Sequence, residues 1–395
     1  MSPLRLVLVT RRFWPLVGGA ERVMANLAAE LAARQFPVTL LTARWEPHWP
    51  AEIVYRGVPV VRLPNPPQRV WGTLRYMRAL RRWLRTHRGQ YDLVYVSMLK
   101  HDAYAALGAV RGQCPVVLRA EGGGRSGDCA WQKTAVFGRR IKRRCTRADA
   151  LVGPSQAICR ELIAAGYAAA KVQVLPNGVA VPALGDEAGK TAARAALAAA
   201  NPALELPEDA PLAVYTGRLH AAKGLAELVA AWEQVLRRRP DARLWLVGEG
   251  PFEWDLEARI AERNLSARVV LAGVFDSVDD FLAAADLFVL PSWEEGMSLA
   301  MLEAMAAALP VVTTDVPGNR DLVTDGQNAL LVSPRDPASL AAAIGRLLDD
   351  RALARRLGAA AREAVQARYS LAAMADRHVE LFERVVGLAS RRDQR

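Results

Sequence analysis

At 395 residues, with 52% apolar and 7% aromatic residues, the chain is long enough for two or three domains with sizeable cores. No segment approaches the roughly 20 uninterrupted apolar residues of a membrane span, and the run Leu6–Val9, followed at once by Arg11 and Arg12, is too short for a signal peptide. Charge is lopsided: residues 1–181 carry 28 Lys+Arg against 10 Asp+Glu, a net +18, whereas residues 182–395 carry 24 against 31, a net −7.

The basic half is therefore expected to face something anionic: a membrane surface, a lipid-phosphate acceptor or an acidic glycan. No zinc-finger, RNP-type or helix-turn-helix pattern argues for nucleic acid. The four cysteines (Cys114, Cys129, Cys145, Cys159) form no CxxC and no metal-ligand spacing, which predicts buried thiols and a reducing cytoplasm.

Leu4–Thr10 reads as a buried parallel strand. The loop RRFWPLVGGAER then opens a helix over Ala20–Arg34, placing Gly18 and Gly19 at the carboxyl end of that strand, where open α/β sheets bind ligands. Further strands are predicted at Val38–Thr42, Val58–Arg62, Asp92–Ser97, Val116–Arg119 and Ala150–Val152, most followed by a helix, as in a doubly wound parallel sheet. The segment Thr73–Arg88 predicts a polarised helix: Tyr76, Met77, Leu80, Trp83 and Leu84 fall on one face and Arg75, Arg78, Arg81, Arg82, Arg85 and Arg88 on the other. Together with the run Arg139–Arg147, it could dock on anionic lipid. After Val116–Leu118 comes RAEGGGRSGD, whose glycines can present backbone N–H groups. Glu121, Arg125 and Asp128 are its acceptor-side candidates, with His101 in the loop after Asp92–Ser97.

Residues 180–210, rich in Ala, Pro, Gly and acids, read as a linker. The alternation then resumes with strands at Leu212–Thr216, Arg243–Val247 and Val269–Ala272. In GRLHAAKGL, Arg218 and Lys223 flank the start of a helix over Leu225–Arg237 and can converge on a diphosphate; this is not a Walker A element. The stretch Ala284–Thr313 reads as a strand (Leu287–Leu290), a glycine loop, a helix N-capped by Ser298, and a second strand (Pro310–Thr313). Glu295 precedes the helix and Glu303 lies within it, about 7–8 Å further along the axis from Ser298. Gly296 permits close backbone approach, and the free N–H groups at the helix start suit an anion. A short strand at Asn328–Val332 and helices at Ala338–Leu348, Ala352–Arg368 and Leu371–Val386 complete the chain.

Glu295 and Glu303, within PSWEEG and LEAMA between two apolar strands, resemble the Glu-x7-Glu signature of retaining GT-B glycosyltransferases, especially glycosyltransferase family 4. GGAER, LPNGV (residues 175–179), GRLHAAKG and GEGP resemble further motifs of that family, so the likeness covers nearly the whole chain. The resemblance implies two Rossmann-like doubly wound domains facing each other across a cleft: an acceptor domain over residues 1–181, a linker over 182–210 and a nucleotide-sugar domain over 211–368. It also implies a terminal helix over 369–395 packing back on the first domain. Arg218 and Lys223 would hold the donor diphosphate. Glu295, with Gly296, Met297, Ser298 and Leu299, would orient the sugar, and Glu303 would hold the ribose. Gly273 and Val274 would line the base pocket, with Gly18 and Gly19 near the donor phosphate. In many family members the strand corresponding to Val116–Arg119 ends in a His that contacts the sugar; here Arg119 and Glu121 occupy that neighbourhood.

The implied activity is retaining transfer of a hexose-type sugar from a nucleotide-sugar, a co-substrate rather than a cofactor, to a hydroxyl of a glycan or lipid-linked acceptor, with no metal. The expected place is the cytoplasm, peripheral on the inner face of the membrane. A nucleotide-sugar epimerase or glycoside phosphorylase would share the fold, and a non-catalytic anion- or membrane-binding module would share the charge.

Overall fold

The computed structural model describes residues 3–393 apart from Val17, Arg111, Arg125, Ser126 and Glu208. The chain divides into two compact units: Met1–Gly178 with Leu371–Arg395, and Val179–Ser370.

The first unit is built on short apolar strands: β1 (Leu6–Val9), β2 (Val38–Arg44), β3 (Glu52–Tyr55), β4 (Val58–Pro64), β5 (Leu93–Ser97), β6 (Val116–Arg119), β7 (Ala150–Gly153) and β8 (Val172–Val174). Their order is β3-β4-β2-β1-β5-β6-β7-β8, all parallel except β3, which pairs antiparallel with β4. The fully buried patterns of β1, β5, β6 and β7 are those of strands covered on both faces. Helices α1 (Gly19–Ala33), α2 (Arg69–Thr86), α3 (His101–Val110), α4 (Asp128–Thr134), α5 (Gly138–Cys145) and α6 (Gln156–Ala164) connect them. The strand order reverses at β1/β5, where Val9 is paired with Val96.

The second unit begins with α7 (Glu187–Ala200). It continues through β9 (Leu212–Thr216), α8 (Leu225–Arg238), β10 (Arg243–Val247), α9 (Glu253–Glu262), β11 (Val269–Gly273), α10 (Asp279–Ala284), β12 (Leu287–Leu290), α11 (Leu299–Ala306), β13 (Val311–Thr314), α12 (Pro317–Arg320) and β14 (Leu330–Val332), and ends with α13 (Pro337–Asp349) and α14 (Arg351–Arg368). Its six strands run parallel in the order β11-β10-β9-β12-β13-β14, with the reversal at β9/β12. The final helix, α15 (Leu371–Asp393), belongs to the first unit and packs on α1. Its Met374, His378, Leu381, Phe382 and Val385 are buried, and Arg34, just past the end of α1, pairs with Asp376 and donates to the Ala372 carbonyl.

Two expectations need correction. The segment read as a linker contains α7, N-capped by the Asp186 carboxylate and packed on α10. Its alanine-rich composition favours helix, and Lys190 and Arg194, four residues apart, both pair with Asp286 while Ala193 and Leu197 are buried. The edge strand β3 was not foreseen, because its two-sided, partly exposed residues lack the apolar run of a central strand. Among the described residues no helix is long and apolar enough to cross a membrane.

Candidate functional site

Ligands of open parallel sheets bind outside the carboxyl ends of the strands where the strand order reverses. In the second unit that point lies between β9 and β12, and the loops that follow these two strands carry Arg218, Lys223 and Glu295. Lys223 Nζ donates to Glu295 Oε1 at 2.6 Å, and Ser292 Oγ donates to the same oxygen at 2.6 Å. Both contacts fall on Oε1; among the described residues no hydrogen bond is made to Oε2. The carboxylate side chain is 8% exposed and the lysine 29%, so the pair is shielded yet the ammonium still reaches solvent. Arg218 is exposed and forms no ion pair among the described residues. Its carbonyl accepts from the buried Tyr215 hydroxyl at 2.9 Å, and the pKa of that phenol is raised by burial and, secondarily, by Glu295.

The two loops are held by backbone rather than by long side chains. Lys223 ends a 3-10 turn, and Gly224 follows at φ +67, a left-handed conformation; a Cβ there would run into the Pro291 carbonyl. Trp293 N donates to the Ala222 carbonyl at 2.9 Å, closing the seam. On the other side Gly318, at the start of α12, is backed against the carbonyls of Glu295 and Gly296, leaving no room for a side chain. Below the site lies a polar ladder: Thr314 Oγ1 donates to the Ser292 carbonyl, and Asn319 Nδ2 donates to Thr313 Oγ1 at 2.8 Å and to the Thr314 carbonyl at 2.9 Å.

Ser298 caps α11, its Oγ accepting from Met301 N at 3.2 Å, as the sequence predicts. Gly296 and Leu299 are half-buried and Met297 is buried, while Glu303 lies half-buried on α11. The remaining donor-side residues are at the same edge of the sheet: Gly273 ends β11 at φ +81, its carbonyl accepting from Gly248 N at 2.8 Å, and Val274 beside it is exposed.

In the first unit Gly18 caps α1 with an extended backbone, Gly19 is the first helical residue, and Glu21 in that turn approaches Arg12 at 4.0 Å. Burial raises the Glu21 carboxyl above its ordinary pKa. His101 opens α3, its ring set edge-on to Trp131 at 5.2 Å; burial, with Arg11 and Lys100 near it, lowers its pKa. Asp128 is not free to meet a ligand as the sequence suggested, and Glu121 is tied through one of its two oxygens. Asp128 is 3% exposed, and its two oxygens accept from the N–H groups of Leu99 and Glu121, each at 2.9 Å. Glu121 accepts from Ser97 Oγ at 2.8 Å and pairs with Arg119 at 3.1 Å. Both carboxyls are pushed upward by burial, and both hold the loop after β6 in shape. Arg125 lies outside the described residues.

Arg119 itself points into the protein. It is fully buried and donates to Asn177 Oδ1 and, at 3.5 Å each, to the Tyr95 hydroxyl and the Leu175 carbonyl. The Tyr95 hydroxyl meets His378 Nε2 of α15 at 3.0 Å, and His378 Nδ1 meets the Met374 carbonyl at 2.7 Å. Burial drives His378 down to about 3, so it is neutral there. Among the described residues no group of three or more His, Cys, Asp or Glu is arranged to hold a metal ion.

A family model described as Glycosyltransferase Family 4 matches residues 17–181, and one described as Glycosyl transferases group 1 matches residues 210–350. The chain thus resembles glycosyltransferase family 4 over its first part and the glycosyl transferases group 1 over its second. It is similar to the lipopolysaccharide core biosynthesis glycosyltransferase LpsD of Rhizobium meliloti (strain 1021), 37% identical over 51% of this chain and 57% of that one. It is also similar to the alpha-D-kanosaminyltransferase of Streptomyces kanamyceticus, 34% identical over 46% and 47%. The chain thus spans about half the length of the curated relatives it matches. Among solved structures, the sucrose-phosphate synthase of Thermosynechococcus elongatus superposes with a TM-score of 0.81 at 25% identity, over 98% of this chain and 100% of that one. The fold is that of the GT-B glycosyltransferases.

Sequence reading missed several residues that shape the family's motifs here. Ser292 is visible as the Ser of PSWEEG, but its bond to Glu295 needs the loop to turn back on itself. Gly318 and Asn319 carry no signal of their own, since their partners belong to other strands and loops. Arg119, which stands in the neighbourhood where the resemblance implies a His in many members, spends its guanidinium on internal partners.

Proposed function

We propose that the chain transfers a hexose-type sugar, with retention of anomeric configuration, from a nucleotide-sugar to a hydroxyl of a glycan or lipid-linked acceptor. The observation that carries this reading is the Lys223–Glu295 ion pair at the β9/β12 reversal, locked by Ser292 and by the Gly224–Pro291 seam, with Glu303 further along α11. Lys223 and the exposed Arg218 would sit on the diphosphate, stabilising charge as the bond from the anomeric carbon to the phosphate oxygen breaks. The departing phosphate oxygen takes the proton of the acceptor hydroxyl as that oxygen bonds to the anomeric carbon on the same face, so the step requires neither a protein nucleophile nor a metal. Glu295 and the Gly296–Leu299 backbone would orient the sugar hydroxyls, and Glu303 the ribose. Glycan and lipid-linked acceptors find support in LpsD, whose name places it in lipopolysaccharide core biosynthesis.

The first test is thermal unfolding against uridine, guanosine, adenosine and thymidine diphosphates and their sugars. A ligand at about 100 times its Kd adds roughly 2.7 kcal/mol, a shift of several degrees for a domain of this size. A shift confined to one base and weakened by Glu303→Ala is expected; no shift with any of them would sink the donor site. Lys223→Ala should lower turnover by roughly two to three orders of magnitude with chelator present or absent. Activity within tenfold of wild type would remove Lys223 from its role. Product analysis separates the alternatives, since an epimerase alters the sugar nucleotide without acceptor and a phosphorylase requires phosphate.

A further inference from the structure

In the first unit α2 and α5 both pack against α3, and their basic residues meet over it. Arg81 of α2 lies 5.4 Å from the centre of the Tyr104 ring, and Arg144 of α5 lies 3.6 Å from the same centre. The mutual repulsion is not relieved by carboxylates. Neither helix contains an Asp or Glu, and among the described residues none of Arg75, Arg78, Arg81, Arg82, Arg85, Arg139, Arg140, Lys142, Arg143 and Arg144 forms an ion pair. Burial and the neighbouring Arg81, Arg140 and Arg147 lower the Arg144 pKa, with Tyr104 opposing them. A surface that concentrates unpaired like charge in this way is poised for an anionic partner.

The same two helices begin with exposed apolar side chains. On α2 Val70, Trp71 and Leu74 are 72%, 71% and 52% exposed, and just before and at the start of α5 Val136 and Phe137 are 93% and 64% exposed. Trp71 and Leu74 head a single exposed stripe that continues through Arg75, Arg78, Arg82 and Arg85 at helical spacing. Helix α2 leaves the carboxyl end of β4, and α5 leads back toward the amino end of β7, so both helices start at the carboxyl edge of the sheet. Apolar tips at one end, with cationic flanks running back from them, match the chemistry of a bilayer interface. Tryptophan and phenylalanine enter the headgroup boundary while arginines pair with lipid phosphates. A soluble polyanion would satisfy the arginines and leave the five apolar side chains in water.

We propose that the α2–α5 face docks on an anionic lipid bilayer, with Trp71, Leu74, Val136 and Phe137 inserted and the arginines of both helices on the headgroups. The inference is independent of the donor site. Co-sedimentation of the whole chain with phosphatidylglycerol-containing vesicles, compared with phosphatidylcholine vesicles, tests it without donor or turnover, so its failure leaves the transfer reading untouched. Binding to the anionic vesicles alone is expected, weakened by salt and reduced roughly tenfold or more in Arg78→Glu/Arg143→Glu. Trp71→Ser/Phe137→Ser should also weaken vesicle binding, while heparin binding stays unchanged. These residues are exposed, so the variants should retain the wild-type unfolding midpoint. No binding to anionic vesicles, equal binding to both vesicle types, or a vesicle affinity insensitive to the Trp71/Phe137 pair would overturn the proposal. Capture by heparin without vesicle binding would assign the face to a soluble polyanion instead.

Discussion

The two units solve the same architectural problem with different materials. Each is a parallel, doubly wound sheet with a reversal of strand order, and each must shape the loops at the carboxyl edge. The second unit does so mainly with backbone. Gly224 and Gly318 let neighbouring carbonyls approach to where a Cβ would stand, and the Lys223–Glu295 pair keeps its ammonium in reach of solvent. The first unit uses buried polar side chains: Asp128 holds Leu99 and Glu121, while Arg119 joins Glu121, Asn177, Leu175 and Tyr95. Charge divides the same way, with 33 Lys+Arg against 14 Asp+Glu in the first unit and 19 against 27 in the second. A loop seam closed by glycines leaves its charged side chains available to a ligand. A loop closed by carboxylates and guanidinium ties Asp128 at both oxygens, Glu121 at one, and turns Arg119 inward.

Three substitutions probe that contrast. The largest effect is expected from Arg119→Met, which leaves Glu121 buried without its partner and should cost the first unit about 3–5 kcal/mol. Nucleotide binding by the second unit should persist; a loss of less than about 1 kcal/mol in chemical unfolding would show that Ser97 alone satisfies Glu121. Next, Gly224→Ala forces a left-handed alanine against the Pro291 carbonyl, at a cost of about 2–4 kcal/mol confined to the second unit. An unchanged melting temperature would mean the seam is looser than its geometry implies.

The effect that is smallest near neutral pH is a pH dependence. His378 is held neutral down to about 3 by burial, with Arg119 and Arg377 near it and Tyr95 bonded to it, whereas the unfolded residue takes its proton near 6.5. Between those values the unfolded state binds more protons, so the stability His378 contributes is present above pH 6.5 and is lost as pH falls toward 3. His378→Gln should remove up to about 1.4 kcal/mol per pH unit of acid sensitivity in that window. Asp102, pushed up to about 7 by burial, acts in the opposite sense but is common to both proteins and cancels in the difference. Identical pH profiles for variant and wild type would refute the buried neutral imidazole.

What the amino-acid sequence determined by itself was local and periodic. Continuous apolar runs such as Leu287–Leu290 and Val116–Leu118 announced central parallel strands, because a strand covered on both faces has no polar side to show. The position of Ser298 before a run of helix formers announced the cap of α11, and the stripe from Tyr76 to Leu84 announced the buried face of α2. Tertiary structure alone decided which polar residues were spent inside and which were left outward. Asp128 reads as a ligand candidate until Leu99, 29 residues away, claims it, and Tyr95 finds His378 at a separation of 283 residues. The exposure of the apolar Val136 and Phe137 likewise has no signal in the neighbouring sequence. Such outcomes depend on burial and on partners distant in the chain, which no window of neighbouring residues contains.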